Sequence, residues 1–187
     1  MTAGVDGELL TRLLDVEARV RLAVDHRRAD DPSPDDPFRG LYVDDETVQR
    51  LLGGPAPPPD LGPELPLVDD AGPLMTLARH AGLTALDVRL LVTALLPDLD
   101  GRFEKLYGYL NDDVTRRRAS IGLALELAGA AATSAVARRA LSPAGPLVAL
   151  GLVLVEDPDR PYLTRRQRLP DRRERRGPRA RYAADVG

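Results

Sequence analysis

Two apolar runs that flank a turn rich in aspartate and proline place the strongest constraint on the fold of this chain. The first run covers residues 147–155 and consists mostly of leucine and valine, and the second covers residues 162–165. The residues between them, 156–161, read EDPDRP. Apolar runs of this length around a short polar turn favour two antiparallel strands. The pattern therefore predicts a β-hairpin that closes whatever fold precedes it.

Five helices are predicted immediately before the hairpin. The first covers residues 73–80 and ends at Gly82. The second begins at Thr84, whose hydroxyl can accept a hydrogen bond from the backbone N–H of residue 86 or 87. We expect Pro97 to lie just past the end of this second helix, because proline disfavours a helix interior. The other three are predicted at 101–110, at 120–127 after the opening residue Ser120, and at 133–141 after the opening residue Thr133.

This order of elements predicts the fold class. A helix, a short turn, a second helix and then a hairpin is the order of a winged helix-turn-helix. The chain is therefore expected to be mainly α with a small antiparallel β-hairpin, and the winged-helix domain is expected over residues 73–169.

Three further segments are predicted outside that domain. Residues 1–30 form an amphipathic N-terminal helix, with charges on the face opposite its apolar stripe. Residues 31–72 form an acidic linker rich in proline and glycine, with a short helix near 44–52. Residues 170–187 form a basic, disordered tail, since they carry almost no apolar periodicity. The stripe of the N-terminal helix consists of Leu9, Leu13, Val16, Val20 and Ala23, widened by Leu10 and Leu14.

The sequence offers no catalytic or metal-binding constellation. Cysteine is absent, and the single lysine, Lys105, lies outside any phosphate-binding GxxxxGK[ST] motif. The two histidines, His26 and His80, lie in separate segments, and the paired aspartates fall at turns and helix caps. We therefore expect no enzyme activity, no cofactor and no metal. The absence of cysteine fits a reducing cytoplasm and no signal peptide is evident, so a cytoplasmic protein is expected. The longest uncharged run, residues 140–155, is too short to span a bilayer, so no membrane span is expected.

Two arginine groups are the candidate partner-binding residues. They are Arg116, Arg117 and Arg118 in a loop, and Arg138 and Arg139 at the end of the last predicted helix. The first turns of that helix carry Thr, Ser, Ala and Val, and the hairpin turn is acidic. The residues that would face DNA therefore carry little positive charge to attract its phosphates. A protein partner is therefore favoured over nucleic acid. The loop arginines can also serve an acidic partner, this chain's own acidic segment, or solvent alone.

Three stretches together resemble a known family. They are FRGLYV at 38–43 with the following DDETVQRLL, LTALDVRLLVTALLPDL at 83–99, and LYGYLNDDVTRRR at 106–118. These stretches resemble the N-terminal winged-helix region of bacterial AAA+ ATPases of the type found with contractile injection systems. The resemblance covers about residues 35–169 and implies a recruitment or assembly role. In that family an ATPase core follows; it is absent from these 187 residues, which implies a truncated product or a free-standing adaptor without ATP hydrolysis.

The function predicted from the sequence is accordingly a non-enzymatic winged-helix interaction or adaptor module. The alternative is a winged-helix DNA-binding regulator, which the helix order and the basic tail favour.

Overall fold

The computed structural model describes residues 7–29, 48–49, 52–53, 61–62, 64–69, 71–171 and 174. The predicted short helix near 44–52 and the predicted tail at 170–187 lie mostly outside the described residues. The helices are α1 (Gly7–Ala29), α2 (Pro73–Ala81), α3 (Ala85–Leu99), α4 (Arg102–Leu110), α5 (Ile121–Leu127), α6 (Ala135–Ala140) and α7 (Pro146–Ala149). The strands are β1 (Leu154–Val155) and β2 (Gln167–Arg168), which pair antiparallel.

The predicted class is confirmed, since the described chain is mostly helical with a small two-stranded antiparallel sheet. Backbone hydrogen bonds add a third chain segment beside β2. The Gln167 N–H donates to the Ala119 carbonyl at 3.0 Å, and the Ile121 N–H donates to the Arg165 carbonyl at 2.8 Å. The segment that leads into α5 is therefore tied to the hairpin, which holds α5 and α6 against it.

Helix α3 forms the centre of the molecule. Most of its side chains between Asp87 and Pro97 are buried, so the helix presents no broad face to solvent over this stretch. Thr84 caps it as predicted: its hydroxyl accepts from the Asp87 N–H, and the Asp87 carboxylate accepts from the Thr84 N–H at 2.9 Å. This reciprocal capping box satisfies two backbone donors at a buried helix start.

The prediction that Pro97 follows helix α3 was wrong, because Pro97 lies within the last turn. Proline has no N–H for the carbonyl four residues back, which is that of Thr93. The buried hydroxyl of Tyr107 on α4 donates to the Thr93 carbonyl at 2.9 Å instead. A side chain from the next helix thus replaces the missing backbone donor, and the helix continues to Leu99.

The hairpin exists, but the first predicted strand was too long and the second was misplaced. Residues 146–149 form the short helix α7, which begins at Pro146, and only Leu154 and Val155 of the first apolar run are extended. Residues 162–164 form a 3-10 turn that begins after Pro161, and the second strand lies at Gln167–Arg168. Proline at the first helical position favours helix over strand, and this local preference overrides the apolar character of the run. The helix-opening residue before α6 was also misplaced by one: Ser134, not Thr133, caps it.

Helix α1 is present as predicted and packs against α2, α3, α4 and α5. Val16, Val20 and Ala23 are buried in the same core as the winged-helix elements. Two details of its predicted pattern were wrong. Leu10 and Leu14 are exposed, Leu14 to 55%, and the face that packs on the domain carries two buried arginines, Arg12 and Arg19. The division of the chain into four segments stays a prediction, but α1 shares its core with residues 73–169.

Candidate binding surface of helix α6 and the wing

The candidate surface is formed by helix α6 and by residues 156–166, which connect β1 to β2 and are called the wing below. Helix α6 is short, and its buried residues are Ala137 and Ala140. Ser134 is the N-cap of the helix, since its hydroxyl accepts a hydrogen bond from the Ala137 N–H at 3.3 Å. The outward side of the helix carries Ala135, Val136, Arg138 and Arg139, and Val136 is 76% exposed.

Tyr162 of the wing joins the two parts of this surface. Its hydroxyl donates to the Arg138 carbonyl at 2.8 Å, which fastens the wing to the end of α6. The Arg138 guanidinium carbon lies 4.9 Å from the centre of the Tyr162 ring, and that of Arg165 lies 6.0 Å from it. Both distances allow a cation–π interaction. Partial burial raises the pKa of the Tyr162 hydroxyl, so the ring stays neutral between the two cations.

The predicted acidic character of the wing is cancelled by internal ion pairs. Asp157 receives the Arg166 Nε at 2.7 Å, and Glu156 receives the Arg168 Nε at 2.6 Å. The hydrogen bond from Arg166 holds the pKa of Asp157 below its ordinary value. The wing carboxylates that face β2 are therefore neutralised by arginines of β2 and its approach.

Four other arginines have no carboxylate within ion-pair distance in the described part of the chain, although the charge of Arg160 still acts on Asp157. The Arg165 guanidinium donates to two wing carbonyls, of Arg160 at 3.0 Å and of Pro158 at 2.7 Å, and so is held in place without losing its charge. Helix α6 and the wing together hold five arginines against three carboxylates, of Glu156, Asp157 and Asp159, which is a net formal charge of +2. The four arginines without a carboxylate at ion-pair distance are Arg138, Arg139, Arg160 and Arg165.

The loop arginines were predicted as a second candidate group, and the structure gives each a carboxylate neighbour. Arg116 lies 3.0 Å from Asp113 and donates to the Thr164 carbonyl of the wing at 3.4 Å. Arg118 lies 2.6 Å from Asp98. Arg117 is exposed, with a looser contact of 3.5 Å to Glu104. Arg116 and Arg118 thus anchor the loop between α4 and α5, which leaves Arg117 as the member most open to a partner.

Sequence reasoning identified Arg138 and Arg139 but missed Tyr162, Arg160 and Arg165. Tyr162 was assigned to a strand, where its ring would have counted as an ordinary core residue. A signal was present: a tyrosine directly after proline and near several arginines, in a chain in which aromatic residues make up 4%. Such a tyrosine can serve as a stacking surface for a nearby cation as well as fill a core.

Comparison with known proteins gives one positive result. Neither the curated proteins nor the solved structures include a match to this chain. None of the helices in the described ranges has both the length and the apolar character that a bilayer crossing requires. A family model described as "Winged helix domain, variant" matches residues 69–173, more than half of the chain, and spans every element from α2 to β2. The chain therefore belongs to the winged helix domain family, in its variant form.

Proposed function

We propose that this chain is a non-enzymatic interaction module that docks an acidic protein partner on the surface of helix α6 and the wing. The observation that carries the proposal is the pair Arg138 and Arg165 around Tyr162, which have no acidic partners in the described part of the chain. Winged helix domains bind either protein or nucleic acid, so the chemistry of the surface has to decide between them.

The composition of the surface suits a protein partner. Arginine and tyrosine are enriched at the centres of protein interfaces, where an apolar side chain often acts as an anchor. The Arg165 guanidinium is held by two backbone carbonyls, so little side-chain entropy is lost when a carboxylate binds it.

The N-terminal residues of α6, which would enter a DNA groove, are poorly suited to recognising bases. Its first residues are Ala135 and Val136, which offer no hydrogen-bonding groups to base edges. The Ser134 hydroxyl is already used as the helix cap. A protein partner therefore fits this helix better than sequence-specific DNA recognition.

A more specific role, as the recruitment region of an AAA+ ATPase found with contractile injection systems, is supported by the sequence resemblance over residues 35–169 alone. It is compatible with the surface described above, because recruitment needs a docking face and no catalytic group.

Affinity capture with the full chain tests the proposal. Immobilised wild-type protein is expected to recover an acidic protein from extract of its source cells, and the double variant Arg138→Gln, Arg165→Gln is expected to lose it. Arg117→Gln is the matched control, since Arg117 is an exposed arginine away from Tyr162. Equal recovery by all three proteins, or recovery of nothing above background, would contradict the proposal.

The second candidate function is DNA binding, and the four arginines without acidic partners favour it. Such residues can neutralise phosphates whatever the base sequence, and each phosphate contact contributes about 0.9 to the slope of log affinity against log salt. Fluorescence anisotropy with a labelled duplex at low and moderate salt distinguishes the two functions. Salt-dependent binding that the double variant abolishes would establish the second function; its absence at low salt would leave the first.

A further inference from the structure

Helix α1 carries a second row of apolar side chains, on the side that faces away from the core. Leu10 is 47% exposed, Leu14 is 55% exposed and Leu22 is 44% exposed, and Ala18, between Leu14 and Leu22, is exposed as well. These four residues recur at every fourth position, so they line up as one continuous ridge about 18 Å long. We call it the α1 ridge.

The opposite side of the same helix supplies the packing that the fold requires. Val16, Val20 and Ala23 are buried in the hydrophobic core, whereas the leucines of the α1 ridge are not members of that core within the described chain. A helix on the surface of a globular domain ordinarily carries one apolar stripe, which faces the core. A second stripe, directed to solvent, indicates a contact with another surface.

The spacing of the α1 ridge is the same in both directions along the helix. An antiparallel second copy would therefore bring its Leu22 against Leu10 and its Ala18 against Leu14. Each contact forms twice, as in every interface that a two-fold axis generates. The small Ala18 leaves room for the longer Leu14, and ridges of residues four apart pack together when their helices cross at about −50°. The ridge is thus complementary to itself.

The charge of α1 favours an antiparallel second copy over a parallel one. Residues 7–17 carry three carboxylates and one arginine, a net charge of −2. Residues 18–29 carry four arginines and one carboxylate, a net charge of +3 with His26 neutral, and the side chain of Arg21 among them is 72% exposed. Antiparallel copies place the acidic half of each helix beside the basic half of the other, whereas parallel copies place like charges together.

The size of the α1 ridge limits the strength of such a contact. A standard stable interface buries about 800 Å² per partner, and a single ridge of three half-exposed leucines supplies less. The association is therefore expected to be weak and to depend on protein concentration, so that dilute protein is monomeric.

We propose that two copies of this chain associate antiparallel through the α1 ridge and form a weak two-fold dimer. The interface uses no residue of helix α6 or the wing, so it is independent of the acidic partner proposed for that surface.

Sedimentation velocity with the full chain over a wide range of protein concentrations tests the dimer. The mean mass of the wild type is expected to rise from that of one chain toward that of two. Leu14→Asp is expected to remain monomeric at every concentration, while its melting temperature in dilute solution stays close to that of the wild type. Leu150→Asp is the matched control, because it changes an equally exposed leucine outside α1, and it is expected to dimerise as the wild type does.

Three results would overturn the proposal. They are a wild type that stays monomeric, a mass that grows beyond two chains, and a Leu14→Asp variant that still dimerises. A monomeric wild type that needs Leu14 to bind vesicles of anionic lipid, or to bind a different protein, would assign the ridge to that surface instead.

The direction of the two helices has a test of its own, because the chain contains no cysteine. Leu10→Cys mixed with Leu22→Cys is expected to form a disulfide between the two variants faster than either variant forms one with itself. In the antiparallel dimer the two copies of residue 10 lie about 18 Å apart along the helices, well beyond the Cα separation of about 7 Å that a disulfide allows. Disulfides that form equally fast in all three samples, or faster within one variant, would overturn the antiparallel arrangement.

Discussion

Tyr107 supplies a hydrogen bond that Pro97 removes from helix α3. Pro97 leaves the Thr93 carbonyl without its backbone donor, and the fully buried Tyr107 hydroxyl takes that place. Burial raises the pKa of this hydroxyl well above its ordinary value, so it remains a donor at neutral pH. The two residues therefore form a coupled pair across α3 and α4.

Tyr107→Phe is expected to destabilise the protein by about 1–3 kcal/mol, because a buried carbonyl loses its donor. Urea unfolding measures the change. Pro97→Ala restores a backbone N–H four residues after Thr93, so the same Tyr107→Phe change is expected to cost less in the Pro97→Ala background. Equal costs in both backgrounds would show that the two residues are not coupled.

Gln167 shows the opposite situation, a buried polar group without a partner. It is fully buried, and both its side-chain Nε2 and Oε1 have no hydrogen-bond partner in the described part of the chain. Gln167→Met keeps the length of the side chain and removes the amide, so we expect an increase in stability of about 1 kcal/mol. Thermal unfolding measures it; a fall in the melting temperature would point to a satisfied amide.

Helix caps and helix ends were predictable from the sequence, because they depend on interactions within a few residues. The caps at Thr84 and Ser120 and the helix end at Gly82 follow from side-chain oxygens and from glycine's tolerance of a positive φ, here 62°. The place of Pro97 was not predictable, because the residue that compensates for it belongs to another helix and contributes only once the tertiary fold exists.

At the scale of the elements, the segment 146–155 combines a short helix with a two-residue strand. Leu147 is fully buried at the start of α7, whereas Leu150, one residue past its end, is exposed. Leu147→Asp is expected to unfold the domain, since a buried carboxylate without a partner costs several kcal/mol, a large part of an ordinary stability of about 5–15 kcal/mol. Leu150→Asp is the matched control, and circular dichroism melts should show it close to wild type. Equal melting temperatures would place Leu147 outside the core.

The wing contains a pH-dependent element. Asp157 has a folded-state pKa below its ordinary value of 3.8, chiefly because Arg166 donates to it. A depressed pKa contributes stability that is present above the ordinary value and is lost as the pH falls through the folded value. Asp157→Asn is therefore expected to melt below wild type at neutral pH, and the difference should shrink once the pH falls below about 4. A difference that is constant with pH would contradict the ion pair.

The element order was predictable, and the exact strands were not. Apolar periodicity and caps locate helices well, because each helix carries its own repeating pattern. The strands are two residues long, too short for a periodic signal, and Pro146 and Pro161 divert the flanking residues into helical turns. The same limitation hid the candidate site, because Tyr162 meets Arg138 only through the fold of the wing.

At the scale of the whole molecule, α1 packs into the same hydrophobic core as the helices that follow it. Val16 is 1% exposed, and Asp15 bridges arginines of α1 and α3. Val16→Asp is expected to lower the free energy of unfolding of the entire described core by several kcal/mol, in a single unfolding transition. Leu14→Asp, on the exposed side of the same helix, should leave it nearly unchanged. If the amides of α1 exchanged much faster than those of the other core helices, α1 would instead be an independent unit.

The sequence predicted that α1 must bury a stripe, but not against which surface. A stripe of valines can pack against any apolar groove, so periodicity alone cannot predict which surface buries it. The buried arginines of α1 carry the missing information, since Arg19 reaches a carbonyl of α5. The predicted pattern places the charges of α1 on the opposite face, although arginines beside an apolar stripe are also suited to meet helix ends.

The reach of Arg19 to Leu127 has a consequence for biosynthesis. The two residues are 108 positions apart, so α1 leaves the ribosome well before the chain that will cover it. At about 5–20 residues per second, this delay lasts on the order of 5–20 s. Throughout that interval Arg19 lacks the Leu127 carbonyl, so we expect the nascent chain to bind a holding chaperone until α5 has emerged.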